Sequence, residues 1–212
     1  MTIRRHAAGV CLLLCITLGA CVNLSKTYVE KKSFVLQVTS EARGVGADTG
    51  VVLKIGKFRI SPLFAGRAMV YRVSELQYEN DFYDEWFVPP GALLTEQFHD
   101  WLSASGRFHY VLVGSNHVEP THLLDGSVVE FYGDYRIGGS PKAVFGIELH
   151  LLDGLHDRGI VFRRIYRKEV PMPAASPEAL ADGLTQAVRQ VLMDFDRDLA
   201  GVDLTASSSS SR

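Results

Sequence analysis

Alternation of apolar and polar side chains is the strongest pattern in the first half of the chain. It runs through residues 33–40, 51–60 and 68–73, and in a shorter form through residues 76–80. Because successive side chains of a strand point to opposite faces, this alternation predicts β-strands with one buried face. Pro62 follows the second of these segments, and proline cannot donate to the interior of a ladder. We therefore expect that strand to end before Pro62.

Two later segments carry apolar residues at helical spacing. The first begins at Pro89 and Pro90 and ends at Gly106, and the second begins at Ser176 and Pro177. Serine can cap a helix N-terminus, and proline suits the first helical position. The apolar face of the first helix consists of Leu94, Phe98, Trp101 and Leu102. The face of the second helix consists of Leu180, Leu184, Val188, Val191, Leu192, Phe195 and Leu199, with Gly201 as the stop.

The region between the two helices is predicted to be rich in strands. Residues 108–113 form a short strand, and residues 123–137, 143–152 and 160–170 form longer ones separated by glycine-containing turns. Consecutive strands joined in this way favour an antiparallel meander. The sequence thus predicts an α/β or α+β fold. It is a single domain with a mixed β-sheet packed by two main helices and an extended antiparallel hairpin region.

The start of the chain contains a nearly continuous apolar run, unlike the alternating and helical segments that follow it. Arg4 and Arg5 precede an apolar run over residues 7–18, which is shorter than the ~20 residues that a transmembrane helix needs. A basic start followed by such a run is typical of a secretory signal peptide. The tetrapeptide LGAC, which ends at Cys21, then resembles the bacterial lipobox. We expect Cys21 to become the lipidated first residue of the mature chain.

Cleavage before Cys21 sets the predicted limits of the domains. The serine-rich end of the chain cannot bury apolar surface, so we expect it to be disordered. The predicted parts are a signal peptide over residues 1–20, a lipidated tether over 21–32, one folded domain over 33–203, and a disordered tail over 204–212.

The cysteines and the residue after the lipobox indicate a location. Cleavage would remove Cys11 and Cys15 and lipid would occupy Cys21, so the mature chain would contain no disulfide. Val22 follows the lipidated cysteine, where lipoproteins of the inner membrane often carry aspartate. We therefore expect the protein on the periplasmic face of the outer membrane, in preference to the inner membrane.

Charge and candidate chemistry narrow the classes of function. The formal net charge is −2 and no basic stripe occurs, which argues against nucleic acid as a partner. We expect no cofactor and no enzymatic activity, because no catalytic or nucleotide-binding motif is recognisable. His117 and His122 lack a neighbouring cysteine, which disfavours a metal site. Asp81, Asp84 and Glu85 could supply a carboxylate pair for glycosidic chemistry, although a solvated loop is the favoured interpretation.

Aromatic residues crowd the segment before the first predicted helix. One interpretation, which we favour, is that they close one end of the core. The other is a contact patch for a lipid or a partner protein, with the acidic neighbours as its charged rim. The candidate contact residues are Tyr78, Phe82, Tyr83, Trp86 and Phe87.

The order of motifs around this cluster resembles a known family. The run FRISPL at residues 58–63 is followed by MVYR at 69–72, then by Leu76, Tyr78 and Trp86, and then by the two leucines that open the first helix. This order is similar to that of the ABC-type transport auxiliary lipoproteins, which include the paraquat-inducible Pqi lipoprotein. The acidic segment before Trp86 departs from the family pattern.

Within that pattern, Pro62, Tyr71 and Arg72 are structural positions. Family membership would imply a periplasmic accessory component of an ABC/MCE-type system that moves lipids or other hydrophobic molecules. Its partners would be the membrane, through the N-terminal lipid, and the MCE-type substrate-binding protein, permease or ATPase. A homo-oligomer would also be compatible with this role. The alternatives are a lipid-binding carrier and an envelope assembly or structural lipoprotein.

The lipidation of Cys21 is directly testable. Mass spectrometry of protein extracted from membranes should show an acylated N-terminal peptide that begins at Cys21. The Cys21→Ala variant should be released as soluble protein or remain unprocessed, because it lacks the thiol that accepts the lipid. An unmodified Cys21 inside an uncleaved chain would contradict this prediction.

Overall fold

A computed structural model describes residues 30–39, 48–114, 117–154 and 159–204, and their elements belong to one compact unit that begins at Lys31. The predicted signal peptide, Cys21, most of the predicted tether and nearly all of the serine-rich tail lie outside the described residues. No helix within the described ranges is both long and apolar enough to cross a bilayer.

The described residues form one mixed sheet and two helices, which confirms the predicted fold class. A 3-10 turn spans Pro62–Phe64. The helices are α1 (Pro90–Ala104) and α2 (Pro177–Leu199). The strands are β1 (Lys32–Phe34), β2 (Val52–Ile55), β3 (Arg59–Ile60), β4 (Ala68–Arg72), β5 (Tyr78–Trp86), β6 (Tyr110–Val113), β7 (His122–Asp134), β8 (Lys142–Asp153) and β9 (Ile160–Pro171).

The long strand β7 organises the sheet. Along one edge it pairs antiparallel with β8, which pairs antiparallel with β9, so the predicted meander is confirmed. Along its other edge it pairs in parallel with β2, β3 and β4 in succession. Beyond these, β6 joins β2 at one end of the sheet, while β5 and then β1 join β4 at the other. Beyond the edge of β7 that faces away from β8, the sheet therefore divides into two branches. One branch consists of β2 and β6, and the other consists of β4, β5 and β1.

Several strand limits differ from the sequence-based expectation. The strand predicted over 123–137 ends at Asp134, and the one predicted over 108–113 begins at Tyr110. The segment predicted as one strand over residues 51–60 is divided into β2 and β3, because Ile55 pairs with Leu124 whereas Arg59 pairs with Ser127. The intervening residues leave the ladder to absorb this change of register. The first strand ends at Phe34, well short of residue 40, and the short strand predicted at 76–80 continues to Trp86.

Helix α2 follows the predicted boundaries closely. The Ser176 hydroxyl accepts a hydrogen bond from the Ala179 amide (3.2 Å), and Pro177 occupies the first turn. All seven predicted apolar positions of this helix are buried. Gly183 lies against β8 so closely that a Cβ atom there would come within 2.7 Å of the Ala143 Cβ. A side chain at this position would therefore separate the helix from the sheet.

The two helices pack side by side on the sheet. The Phe98 ring of α1 and the Phe195 ring of α2 lie 6.5 Å apart, and the rings of Phe162 and Tyr166 in β9 also pack against Phe195. Burying aromatic rings in this way removes a large apolar area from water. The core thus lies between α1, α2 and one face of the sheet.

The opposite face of the meander carries ion pairs across strands. Arg163 pairs with Glu148 (2.6 Å) and Arg167 with Glu130 (2.7 Å). Exposed pairs of this kind contribute little stability, typically below about 1 kcal/mol. They do neutralise the arginines of β9, so this face presents no unpaired basic cluster among these residues.

The packing of α2 predicts a large effect of Leu184→Asp. Leu184 is 0% exposed, so the substitution buries a charge among apolar side chains and should cost several kcal/mol of unfolding free energy, measured by urea titration. Met193 lies on the solvent side of the same helix, 47% exposed, and Met193→Asp is the matched control. A Leu184→Asp protein as stable as the control would mean that this face is not packed on the sheet.

Candidate functional site

The segment that carries the predicted aromatic contacts is a bulge in β5. Strand β4 pairs with β5 at Ala68↔Glu85 and again at Val70↔Asn80, so Met69 faces the whole of residues 81–84. These inserted residues, here called the aromatic bulge, interrupt the ladder between β4 and β5, although Asp84 still pairs with Lys32 of β1. The bulge therefore projects Phe82 and Tyr83 beyond the strand.

Asp81 holds the aromatic bulge in shape. Its Oδ1 accepts hydrogen bonds from the backbone amides of Tyr83 (2.8 Å) and Asp84 (2.9 Å). Its Oδ2 accepts a hydrogen bond from the Tyr71 hydroxyl (2.8 Å). Burial acts to raise the pKa of Asp81, but the hydrogen bonds outweigh it and hold this pKa below its usual value. An ionised carboxylate thus ties the bulge to β4.

Tyr71 is itself fixed by packing. Its ring stacks on the Tyr135 ring at 4.8 Å, and Gly133 provides the room, since a Cβ there would lie 2.9 Å from the Tyr135 ring. The Tyr135 hydroxyl donates to the Ser176 carbonyl at the start of α2 (3.2 Å). Burial, and then the charge of Asp81, raise the pKa of Tyr135 to about 12. Burial, and then the hydrogen bond to Asp81, also raise the pKa of Tyr71, so both phenols stay protonated and act as donors.

Three of the five predicted contact residues lie at the surface. Phe82 is 75% exposed, Phe87 is 63% exposed and Tyr83 is 42% exposed. The Phe82 and Tyr83 rings meet edge to face at 5.0 Å, and the Lys31 Nζ lies 5.6 Å from the centre of the Phe82 ring. These contacts leave most of the Phe82 ring open to solvent.

The other two predicted contact residues lie inside the fold. Trp86 is 1% exposed and packs on the Phe131 ring at 5.2 Å, so it belongs to the core and cannot reach a partner. Tyr78 is half-buried on the opposite face of the sheet, against Phe64 and Tyr132. The aromatic cluster is thus divided, because the bulge turns its middle outwards while its ends stay in the ladder.

The family-motif positions occupy structural places. Pro62 begins the 3-10 turn that brings Phe64 onto the Tyr132 ring, 5.7 Å away. Tyr71 and Arg72 extend to opposite faces of β4, as adjacent strand residues do. Arg72 forms an ion pair with Glu75 (2.9 Å), so the two side chains do not converge on one cleft.

The acidic residues around the bulge have separate roles. Glu85 forms an ion pair with Arg67 (2.6 Å). Asp84 keeps one oxygen buried without a hydrogen-bond partner among the described residues. Burial and then the neighbouring charge of Asp81 raise the pKa of Asp84. As for metals, the described ranges contain no group of three or more histidine, cysteine or acidic residues arranged to hold an ion.

A second surface feature was not predicted from the sequence. An open groove of about 750 Å³ lies between α1 and the end strands β2 and β6. Its apolar lining includes Ile55, Ala92, Val111 and Val113, and its polar lining includes Lys54, Lys57, Glu96 and His99. The groove depends on a non-local pairing of β2 with β6 that no local pattern reveals.

Comparison with known proteins identifies the fold. No protein-family model matches the sequence, and no curated protein matches it. The chain is similar to protein XCC0632 from Xanthomonas campestris, described under the family-model DUF330, with a TM-score of 0.70 and 18% identity over 77% of this chain and 91% of that one. It is also similar to an uncharacterized protein, with a TM-score of 0.63 and 18% identity over 80% of this chain and 99% of that one.

A more distant match is lipoprotein GNA1162 from Neisseria meningitidis. Its TM-score is 0.37 and its identity 13%, over 66% of this chain and 97% of that one, so it carries no argument. The two stronger matches share the fold with this chain, and at their level of identity the likeness extends no further than the fold.

The hydrogen bonds of Asp81 predict a pH-dependent stability. Asp81→Ala should lower the unfolding free energy at pH 7 by about 1–3 kcal/mol, because two amides and one hydroxyl lose their acceptor. The pKa of Asp81 is lowered in the fold, so this contribution is present above about pH 4 and is lost as the pH falls below the usual aspartate range. Urea titrations of the variant and wild type should therefore converge in acid.

Glu79→Ala is the matched control for this prediction, since Glu79 is an exposed acidic residue of the same strand. It should leave the unfolding free energy within about 0.5 kcal/mol of wild type. An Asp81→Ala protein that behaves like Glu79→Ala at pH 7 would contradict the assigned role of Asp81.

Proposed function

We propose that the protein is a lipid-anchored accessory component of an ABC/MCE-type transport system in the cell envelope, and that it acts by docking and not by chemistry. The lipobox before Cys21 and the order of motifs from Phe58 to Trp86 support this assignment.

The observation that carries the docking role is a filled core beside an open apolar groove. The centre of the core contains large side chains with almost no exposure, among them Trp86, Phe98, Phe145 and Phe195. The groove between α1 and β6 opens on the surface instead. A carrier would enclose most of the surface of its ligand, whereas an open groove leaves one side of an occupant uncovered.

We assign the groove to an extended segment of a transporter component. Its lining is mainly apolar, and it includes Lys54 and Lys57 but only one acidic residue, Glu96. The excess of lysine suits an apolar segment that carries acidic residues. The strand β6 runs along the groove at the end of the described sheet, where added strands commonly align.

A lipid-binding carrier is the second candidate. The volume of the groove, about 750 Å³, lies in the range of small-molecule sites, and its lining includes apolar side chains. An acyl chain would therefore find room there. The two candidates differ in what co-purifies with the full-length protein: a transporter protein in the first case and a lipid in the second.

The test is a pull-down of the MCE-type component from the same cell with full-length protein. Ala92→Glu places a charge in the groove at an exposed helix position, so it should weaken binding at least about tenfold, or 1.4 kcal/mol, without changing the urea midpoint. Gln190→Glu adds the same charge on the exposed side of α2 and should bind like wild type.

Unchanged capture of the partner by Ala92→Glu would remove the groove from the docking role. Absence of any transporter component, together with a co-purified lipid that Ala92→Glu loses, would establish the carrier in its place. Trp86→Ala is not a suitable probe of docking, because it would open a cavity in the core.

A further inference from the structure

The aromatic bulge lies where the chain enters the folded unit. Strand β1 pairs in parallel with the end of β5, with Lys32 opposite Asp84 and Phe34 opposite Trp86. The Phe87 amide donates to the Phe34 carbonyl (2.8 Å), which extends this contact past the strand. Strand β1 and the aromatic bulge therefore form one edge of the domain.

The predicted anchor holds this edge close to a bilayer. Only about ten residues separate Cys21 from Lys31, and a fully extended chain of that length spans at most about 35 Å. Because the tether joins the domain at β1, the elements beside β1 are the ones it brings nearest to the lipid. Strand β6, which lines one side of the groove, lies at the other end of the strand order.

Three of the four exposed phenylalanine, tyrosine and tryptophan side chains among the described residues lie on the anchored edge, and the fourth, Tyr110, lies in β6. Phe82 and Phe87 are largely exposed, Tyr83 is partly exposed, and Val35 is exposed just after β1. Aromatic side chains are favoured in the interfacial layer of membranes, where an apolar ring and a polar environment meet. The conformation of the bulge is also fixed, since the Asp81 carboxylate accepts hydrogen bonds from two backbone amides of the segment that directs Phe82 outwards.

The charges around the bulge indicate which lipid surface it suits. Lys31 lies over the Phe82 ring and Lys32 pairs with Glu178. Arg67 pairs with Glu85, and Asp81 and Asp84 lie within the bulge itself, so the acidic residues offset the basic ones. The edge thus offers no net basic cluster for anionic lipids. A zwitterionic phospholipid surface is the matching partner, and attachment to it depends on apolar contact and not on charge.

We propose that the aromatic bulge, together with Phe87, inserts into the interfacial layer of the membrane that carries the lipid anchor. The inference rests on the proposed lipidation of Cys21. The bulge then acts as a second contact beside the acyl chains and orients the domain. Strand β5 faces the lipid, and the groove at the other end of the sheet is turned away from it, towards a partner.

The test uses full-length acylated protein reconstituted in phosphatidylcholine vesicles with or without brominated acyl chains, which quench tryptophan at close range. Phe82→Trp places the probe on the bulge. Ile165→Trp is the matched control, since Ile165 is an exposed residue of β9 far along the sheet order. The native Trp86 and Trp101 are both buried and supply a constant background.

Brominated lipid should cause a loss of probe emission in Phe82→Trp, because its ring would lie in the interfacial layer, and should leave Ile165→Trp at the wild-type level. Added salt should not change the quenching. Phe87→Trp is a second probe that should behave like Phe82→Trp.

Equal quenching of Phe82→Trp and Ile165→Trp, in a sample whose Cys21 acylation is verified by mass spectrometry, overturns the inference and leaves the anchor intact. A sample without acylated Cys21 overturns the anchor and this inference with it. Burial of the Phe82→Trp probe only when the MCE-type component is added would make the bulge a protein contact and overturn the inference as well.

Discussion

The pairing of β7 on both of its edges is the constraint on which the structure depends. One edge is occupied by β8 over the full length of the strand, and the other is shared among β2, β3 and β4. Because three short strands share one edge of β7, the strands that pair with them extend the sheet in two directions. The groove forms at the β2–β6 end, and the aromatic bulge forms at the β4–β5 end. A single long strand thus places the two candidate surfaces apart.

This separation gives each surface a different physical character. The groove is apolar and framed by a helix, so it suits an extended chain that lies along it. The bulge projects from the sheet and is held in place by Asp81 and Tyr71, so its exposed rings suit insertion into the interfacial layer of a membrane. The ionised state of Asp81 connects the outward position of Phe82 to the packing of Tyr71 on Tyr135. The surface role and the core are therefore linked through one carboxylate.

The local patterns of the sequence predicted the elements whose causes are local. Helix α2 was predicted from Ser176, Pro177 and an apolar face that is entirely buried, and the meander was predicted from alternation and short turns. The bulge was not predicted, because it arises from a change of register between β4 and β5 that only the pairing defines. For the same reason the sequence could not separate Trp86, in the core, from Phe82, at the surface. The groove requires the non-local pairing of β2 with β6.

The central claim is that the groove binds a transporter component, and crosslinking in living cells tests this claim most directly. A photoreactive amino acid in place of Glu96, which lines the groove, can be compared with the same residue in place of Gln190 on α2. The docking account predicts a crosslink from position 96 to an MCE-type transporter component, lost in Cys21→Ala, and none from position 190. A crosslink from position 96 to lipid alone, or to no envelope protein, would contradict it.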